Sequence, residues 1–479
     1  MYGFELIKKE NIKELSAEAF LYRHNSGARL VFVKNNDENR IVMPVFKTLP
    51  TNDKGIPHIV EHCTLCGSEN YPLKDPFNTL EKGSIYTYLN AITYEDKTVY
   101  PVASIDKEEL MKMVKVYADG IFKPLFLEEE GIFMQEGIYC NYEGVNGVVL
   151  NEMEGVFASE HKLLSNSLTR HLYKDCNYKY YSGGVPSNIK TLTYEEFKEF
   201  YLSTYTAENC FIYIYGDVEI ETYAKLFSSY FGESKAKLAD TEINVNNDPK
   251  PVKVRAGKGA KGVCGAKFAC ADADSYMETV LLSVLGDVLI SGDNSVLRQA
   301  FVDSGRAVDV SGGYNDSVRA TNFSFYGEGI AIDEFKSILQ DTLEHLCLNG
   351  IPEDKLKKSV DRLKFYVKER DFGYKPTGLF YGLELMKGML YENISFEPLR
   401  LESALDKAQN ADYISLIKKY FLNKGVYGYT VDEQAEVAAV SLPINDAPLK
   451  VFQSKKDREE ILNKIPSKKL SEIKAKPIW

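Results

Sequence analysis

An α+β fold in two units is what this sequence predicts. Three observations carry that expectation: a length of 479 residues, an irregular alternation of short β-rich runs with long amphipathic stretches, and a polar interruption near the middle. A chain of this length outgrows one hydrophobic core, so two or more domains are expected. The alternation keeps no strict strand–helix–strand rhythm, which argues against a wound parallel sheet.

The elements follow in order. Residues 30–33 and 41–46 read as strands, and Gly55-Ile56-Pro57 opens a helix, Pro57 being suited to a first turn. Residues 85–93 and 98–103 form a second β pair, rich in tyrosine, threonine and isoleucine. Residues 107–122 are helical by apolar spacing, and 211–215 is a buried strand that meets Gly216-Asp217 and a helix ending near Tyr230 and Phe231. From 233 to 253 the chain turns polar around Asn246-Asn247-Asp248-Pro249 and reads as a linker. A strand at 263–269, a helix at 276–290, strands around Val308 and at 322–325, a run of helices and a last strand at 426–430 follow. Past 440 the chain is Lys-rich and thin in aromatics apart from Trp479. The expected division is 1–234 as one α+β domain, 235–252 as linker, 253–440 as a second such domain, and 441–479 as a tail or connector.

Composition narrows the classes. With 44% hydrophobic and 27% charged residues the chain has the balance of a soluble globular protein. A net charge of -11 argues against a nucleic-acid partner, since phosphate binding needs a basic surface. No apolar run approaches the roughly 18 residues of a membrane span. The start, MYGFELIKKENIKEL, puts charges where a signal peptide needs its apolar stretch. A cytoplasmic protein with no membrane partner is expected, its eight spread-out cysteines reduced. The 32 tyrosines are scattered, as core packing would leave them.

Of six histidines, only His58 and His62 lie within a helical turn of each other, in His58-Ile59-Val60-Glu61-His62. Positions i and i+4 share a helix face, so both imidazoles can reach one ion, and Glu61 also faces it. A carboxylate there can take a proton from a water whose pKa a zinc ion lowers. H-x-x-E-H is the inverted form of the commoner H-E-x-x-H signature. By itself so short a pattern leaves open a pair of surface histidines on a capped helix.

Catalytic zinc takes three protein ligands and keeps one open position. If 145–156 is helical, Val145, Val148, Val149 and Val156 surround Glu152 at i-7, i-4, i-3 and i+4 and place it inside an apolar stripe. A carboxylate there is costly unless paired or metal-bound, so Glu152 is either the third ligand or half of a buried salt bridge. Glu154, about 200° round the helix, should be solvated; with Glu143 it is the fallback ligand. Cys63 and Cys66 make a C-x-x-C that continues the same helix, and packing near the metal is the expectation for them. Gly183-Gly184 and the Gly-rich 257–265 region lack the G-K-[ST] of a phosphate loop.

The motif is followed by Cys66-Gly67-Ser68-Glu69-Asn70-Tyr71-Pro72 and Lys74-Asp75-Pro76-Phe77. Leu89-Asn90-Ala91-Ile92-Thr93, Asn151-Glu152-Met153-Glu154-Gly155, Tyr181-Ser182-Gly183-Gly184-Val185-Pro186 and 213–217 come next in order. Together they resemble the pitrilysin/insulinase clan, in particular its presequence-protease (falcilysin-like) branch. The resemblance is strong over 1 to about 234 and diffuse afterwards. It implies zinc held by His58, His62 and Glu152, with Glu61 as general base; manganese or cobalt would suit the same donors. It further implies two homologous domains, each a mostly antiparallel sheet with helices packed on it, forming half of a closing chamber. An extended peptide would pair beside Asn90 and Ala91 as an added edge strand, unless that segment is an ordinary core strand.

Members of this clan use four such domains and an arginine and a tyrosine from the later half to hold the substrate carbonyl. In the comparable stretch 295–308, Ser304 and Val308 stand where those helpers are sought, with Arg306 and Tyr314 out of register. The resemblance therefore implies a zinc-dependent endopeptidase of unfolded peptides, or its metal-bearing half. A missing C-terminal half or second subunit would be its partner. The alternative is a zinc-bearing binding or assembly subunit, inactive without that half.

Overall fold

Cys210–Tyr215 is buried at every residue, and a strand so apolar on both faces belongs in the middle of a sheet. The computed structural model places it there. The structure describes residues 1–433 apart from 142–143, 233–234, 293 and 306–308. In chain order the strands are β1 (Phe4–Ile12), β2 (Ala17–His24), β3 (Arg29–Lys34), β4 (Arg40–Lys47), β5 (Tyr88–Leu89), β6 (Ile92–Thr93), β7 (Lys97–Val99) and β8 (Val102–Ser104). A short hairpin, β9 (Tyr139–Asn141) and β10 (Gly144–Asn146), precedes β11 (Cys210–Tyr215). Then come β12 (Val252–Arg255), β13 (Val263–Asp272), β14 (Val310–Asn315), β15 (Ala320–Glu328) and β16 (Val426–Val431).

Among the described residues nine strands make the first sheet, in the order β1-β2-β3-β11-β4-β7-β6, with β8 on β4 and β5 on β8. Only β11–β3 is parallel; the other pairs are antiparallel. The second sheet runs β12-β16-β13-β15-β14, parallel only at β12–β16. The chain is therefore α+β, each sheet mostly antiparallel, as the sequence predicts. Helices Lys107–Phe122 and Tyr276–Ile290 have the bounds read from the sequence. The β pair expected at 85–93 and 98–103 is instead four short strands. Pro101 has no N–H to give the ladder, and its carbonyl accepts from Asn90 N at 3.3 Å where the partner strand also breaks. Five strands, β1, β2, β9, β10 and β12, have no counterpart among those expected from the sequence. The expected tail, 441–479, lies outside the described residues, as do Val308, Arg306 and Glu143.

The two sheets exchange helices. Glu160–Leu172, which lies between β10 and β11 in the chain, buries Leu164, Leu168 and Leu172 against β13 and β16 of the second sheet. Thr377–Met389, which follows β15 in the chain, covers the outer face of the first sheet over Tyr213 and Tyr215. It can lie so close because Gly378 and Gly382 face those rings: a Cβ on Gly382 would stand 2.5 Å from Tyr213 Cε1. Gly382→Ala sets about 1 kcal/mol of better helix propensity against about 1–3 kcal/mol of overpacking. Packing should win, because Tyr213 is wholly buried. The urea midpoint of Gly382→Ala is expected to fall; a raised midpoint would mean that the helix retreats without cost.

Candidate metal centre

The site begins with a turn that only glycine makes easily. Gly55 has φ +70° and caps the Ile56–Thr64 helix, with Pro57 in the first turn. A side chain there would strike the Gly183 carbonyl at 2.7 Å, so the 181–186 segment lies directly on the helix start. Asp53 ties the two together. Its Oδ1 accepts from Tyr181 N at 2.9 Å, its backbone carbonyl from Val185 N at 2.8 Å, and its Oδ2 pairs with Arg170. The helix buries Ile59, Val60 and Cys63 in the core and turns His58 and His62 the other way.

Their rings lie 4.8 Å apart, planes at 85°. Glu152, on the Val148–Phe157 helix, brings Oε2 to 3.7 Å from His58 Nε2 and 3.8 Å from His62 Nε2. One donor atom from each of the three lies within 4.8 Å of the others. These gaps exceed a hydrogen bond. They approach the ~3.4 Å that separates donors bonded at ~2.1 Å and tetrahedral angles to one zinc ion. Two imidazoles and a carboxylate with one side open are a donor set that fits a divalent metal. Glu152 does not lie in the apolar stripe that its valine neighbours predict, however. Val145 belongs to β10 and not to the helix, the buried stripe is Val149, Leu150 and Met153, and Glu152 has 47% of its side chain exposed. It faces the histidine pair and solvent, not the core. Glu154 is solvated as expected, paired with Lys190 at 2.8 Å.

Charge is arranged around the pair. Burial, with help from the neighbouring His62, pushes His58 down to about 4, so its ring is neutral and its lone pair free. Burial also favours a neutral His62, but its hydrogen bond to Glu136 and the charges of Glu61, Glu136 and Glu152 outweigh it and raise its pKa. Glu136, on the Glu130–Glu136 helix, accepts from His62 Nδ1 at 3.3 Å and from Gln135 Nε2 at 2.8 Å. A carboxylate behind a ligand histidine fixes its tautomer and leaves Nε2 as the free donor. Glu61 is only 7% exposed. Burial raises its pKa, opposed by Thr93, whose Oγ1 donates to Glu61 Oε2 at 2.6 Å.

Thr93 and Glu136 were missed from sequence. For Thr93 the signal existed: period-two alternation puts it on the face of Leu89 and Ala91. Glu136, 74 residues from His62, had none. Asn90 and Ala91 lie between β5 and β6, on a sheet edge that bears no further described strand. Ala91 is buried, while Asn90 is exposed and holds Ala91 N through its own Oδ1 at 2.9 Å. Cys63 and Cys66 are free thiols; burial raises both, and Cys66 Sγ donates to the His62 carbonyl at 3.4 Å. Ser304 donates to the Phe301 carbonyl at the end of its helix. Tyr314 is packed in the second core, stacked on Phe323. No helix among the described residues is long and apolar enough to cross a membrane.

Residues 50–174 match the family model "Insulinase (Peptidase family M16)" and residues 191–363 match "Peptidase M16 inactive domain". Protein HypA of Clostridium perfringens is 32% identical over 98% of this chain and 50% of its own. Presequence protease 1, chloroplastic/mitochondrial, of Arabidopsis thaliana is 30% identical over 97% and 45%. The chain thus spans about half the length of these curated relatives. In fold it resembles a protease from Helicobacter pylori (TM-score 0.68, 18% identity, 87% of this chain and 100% of that one). It also resembles a peptidase M16 inactive domain from Pseudomonas fluorescens (TM-score 0.67, 16% identity, 87% and 98%). A chain matched along nearly its whole length by such relatives, with its histidine pair and glutamate brought together, belongs to the pitrilysin-type peptidases of family M16 and is presequence-protease-like.

Proposed function

We propose that this chain is a zinc endopeptidase, or its metal-bearing half, acting on extended peptides. His58 Nε2, His62 Nε2 and a Glu152 oxygen would hold the ion. Zinc there would act as a Lewis acid on water and on the scissile carbonyl. The observation that carries the reading is Glu61: a buried carboxylate with raised pKa, steadied by the Thr93 hydroxyl and set beside three convergent donors. A scaffold has no need of a base there. Glu61 would receive the proton of the attacking water on the oxygen that Thr93 Oγ1 does not hold, and deliver it to the amine leaving group. Substrate would lie along β5 and β6 as an added strand, Asn90 swinging aside to free Ala91 N.

The division at 1–234 and 253–440 belongs to the same proposal, the first unit bearing the metal and the second completing the wall of a closing chamber. A second reading, a zinc-bearing assembly subunit inactive without a partner half, draws support from the inactive-domain match over 191–363 and from Tyr314 sitting in the second core. Metal analysis and a peptide-turnover assay test both. About one zinc per purified chain is expected, with most of it gone in Glu152→Ala. Turnover that appears only when a C-terminal half is added supports the metal-bearing half, and zinc without turnover in either case supports the assembly subunit. Unchanged zinc in Glu152→Ala removes that ligand and brings back Glu154 or Glu143.

A further inference from the structure

The edge made by β5 and β6 has two faces, and only one looks at the metal group. Leu89 and Ala91 pack into the core beneath the Ile56–Thr64 helix, and Thr93 reaches Glu61. Tyr88, Ile92 and Tyr94 turn the opposite way, into the core shared with Thr377–Met389. A peptide added to this edge alternates likewise, so every second side chain leaves the metal face and meets what lies beside Tyr88.

What lies there comes from the other end of the chain. The segment joining the Glu353–Glu369 and Thr377–Met389 helices turns through Arg370 and Gly373, with φ of 53° and 66°. It is anchored by Phe372, stacked on Phe380 with centroids 3.9 Å apart. Tyr374 then extends to Tyr88, rings stacked at 6.2 Å with planes 15° apart. One ring of this pair is buried; Tyr374 is 75% exposed. A large aromatic ring, held on one face and open to water on the other, is a surface on which a further ring can stack.

We propose that Tyr374, positioned by Tyr88, is a specificity determinant that selects an aromatic side chain of the bound peptide on the sheet face opposite the metal group. The inference rests on the strand-addition reading of the same site. Stacking is worth about 3- to 10-fold in affinity per aromatic contact, and it depends on the ring and not on the phenol hydroxyl.

The test uses the full chain carrying Glu61→Gln, so that peptides bind without being cut. Labelled ten-residue peptides, each with one phenylalanine at a different position of an alanine–threonine background, are titrated by fluorescence anisotropy. Affinity should be about 3- to 10-fold higher when phenylalanine occupies alternate positions. Tyr374→Ala should erase that preference, and Tyr374→Phe should keep it. A parallel series with N-methylated backbone amides should bind more weakly whatever its side chains. Sensitivity to N-methylation with a preference unchanged in Tyr374→Ala overturns the role of Tyr374 alone. Binding indifferent to N-methylation, or no binding at all, overturns strand addition and this inference with it.

Discussion

Glu61→Gln is expected to keep its zinc and its peptide affinity while losing on the order of 10²–10⁴ in turnover, the usual worth of a positioned acid–base group. Glutamine fills the same volume, and its amide oxygen can still accept from Thr93 Oγ1, which now donates to Glu61 at 2.6 Å. What it cannot do is hold a proton. The substitution also replaces a carboxylate whose ionised form burial disfavours with a neutral group, so the fold should not suffer. The comparison is made in whichever assembly turns peptides over, by steady-state rates on one substrate with zinc content measured alongside. A glutamine variant within a few-fold of the parent would mean that another group takes the proton.

Zinc itself should stabilise the chain, whether or not the chain is active. A ligand that binds only the folded state adds about 4 kcal/mol when its free concentration is 1,000 times its dissociation constant. His58 and His62 share one helix, while Glu152 comes from another and stands 3.7 and 3.8 Å from them. The ion would clamp them. A chelator should therefore lower the thermal midpoint of the parent chain, and zinc should restore it. The midpoints of His58→Ala and His62→Ala should hardly respond to either. Equal midpoints for the parent with chelator and with zinc would sink the three-residue site without reference to catalysis.

The histidine pair was legible because a helix turns local spacing into a shared face. Glu152 stands beside the buried stripe and not within it, and a count of valines cannot tell a helix from the hairpin residue Val145 before it. Charge hid β1, whose exposed Glu5 and Lys9 and half-buried Lys8 and Glu10 look unlike a strand. At a sheet edge such residues are what keep a strand from pairing with other chains. Glu136 and Tyr374 left no local mark, because what each touches lies far away in the chain.

The crossing of Thr377–Met389 onto the first sheet has a consequence for synthesis. The last strand of that sheet leaves the ribosome with Tyr215, but the helix that shields its outer face begins at Thr377. At about 5–20 residues per second, Tyr213 and the apolar side chains beside it stay uncovered for roughly 10–30 s. For that interval the nascent chain offers an apolar sheet surface to its neighbours, and its early half cannot finish alone what the late half must cover.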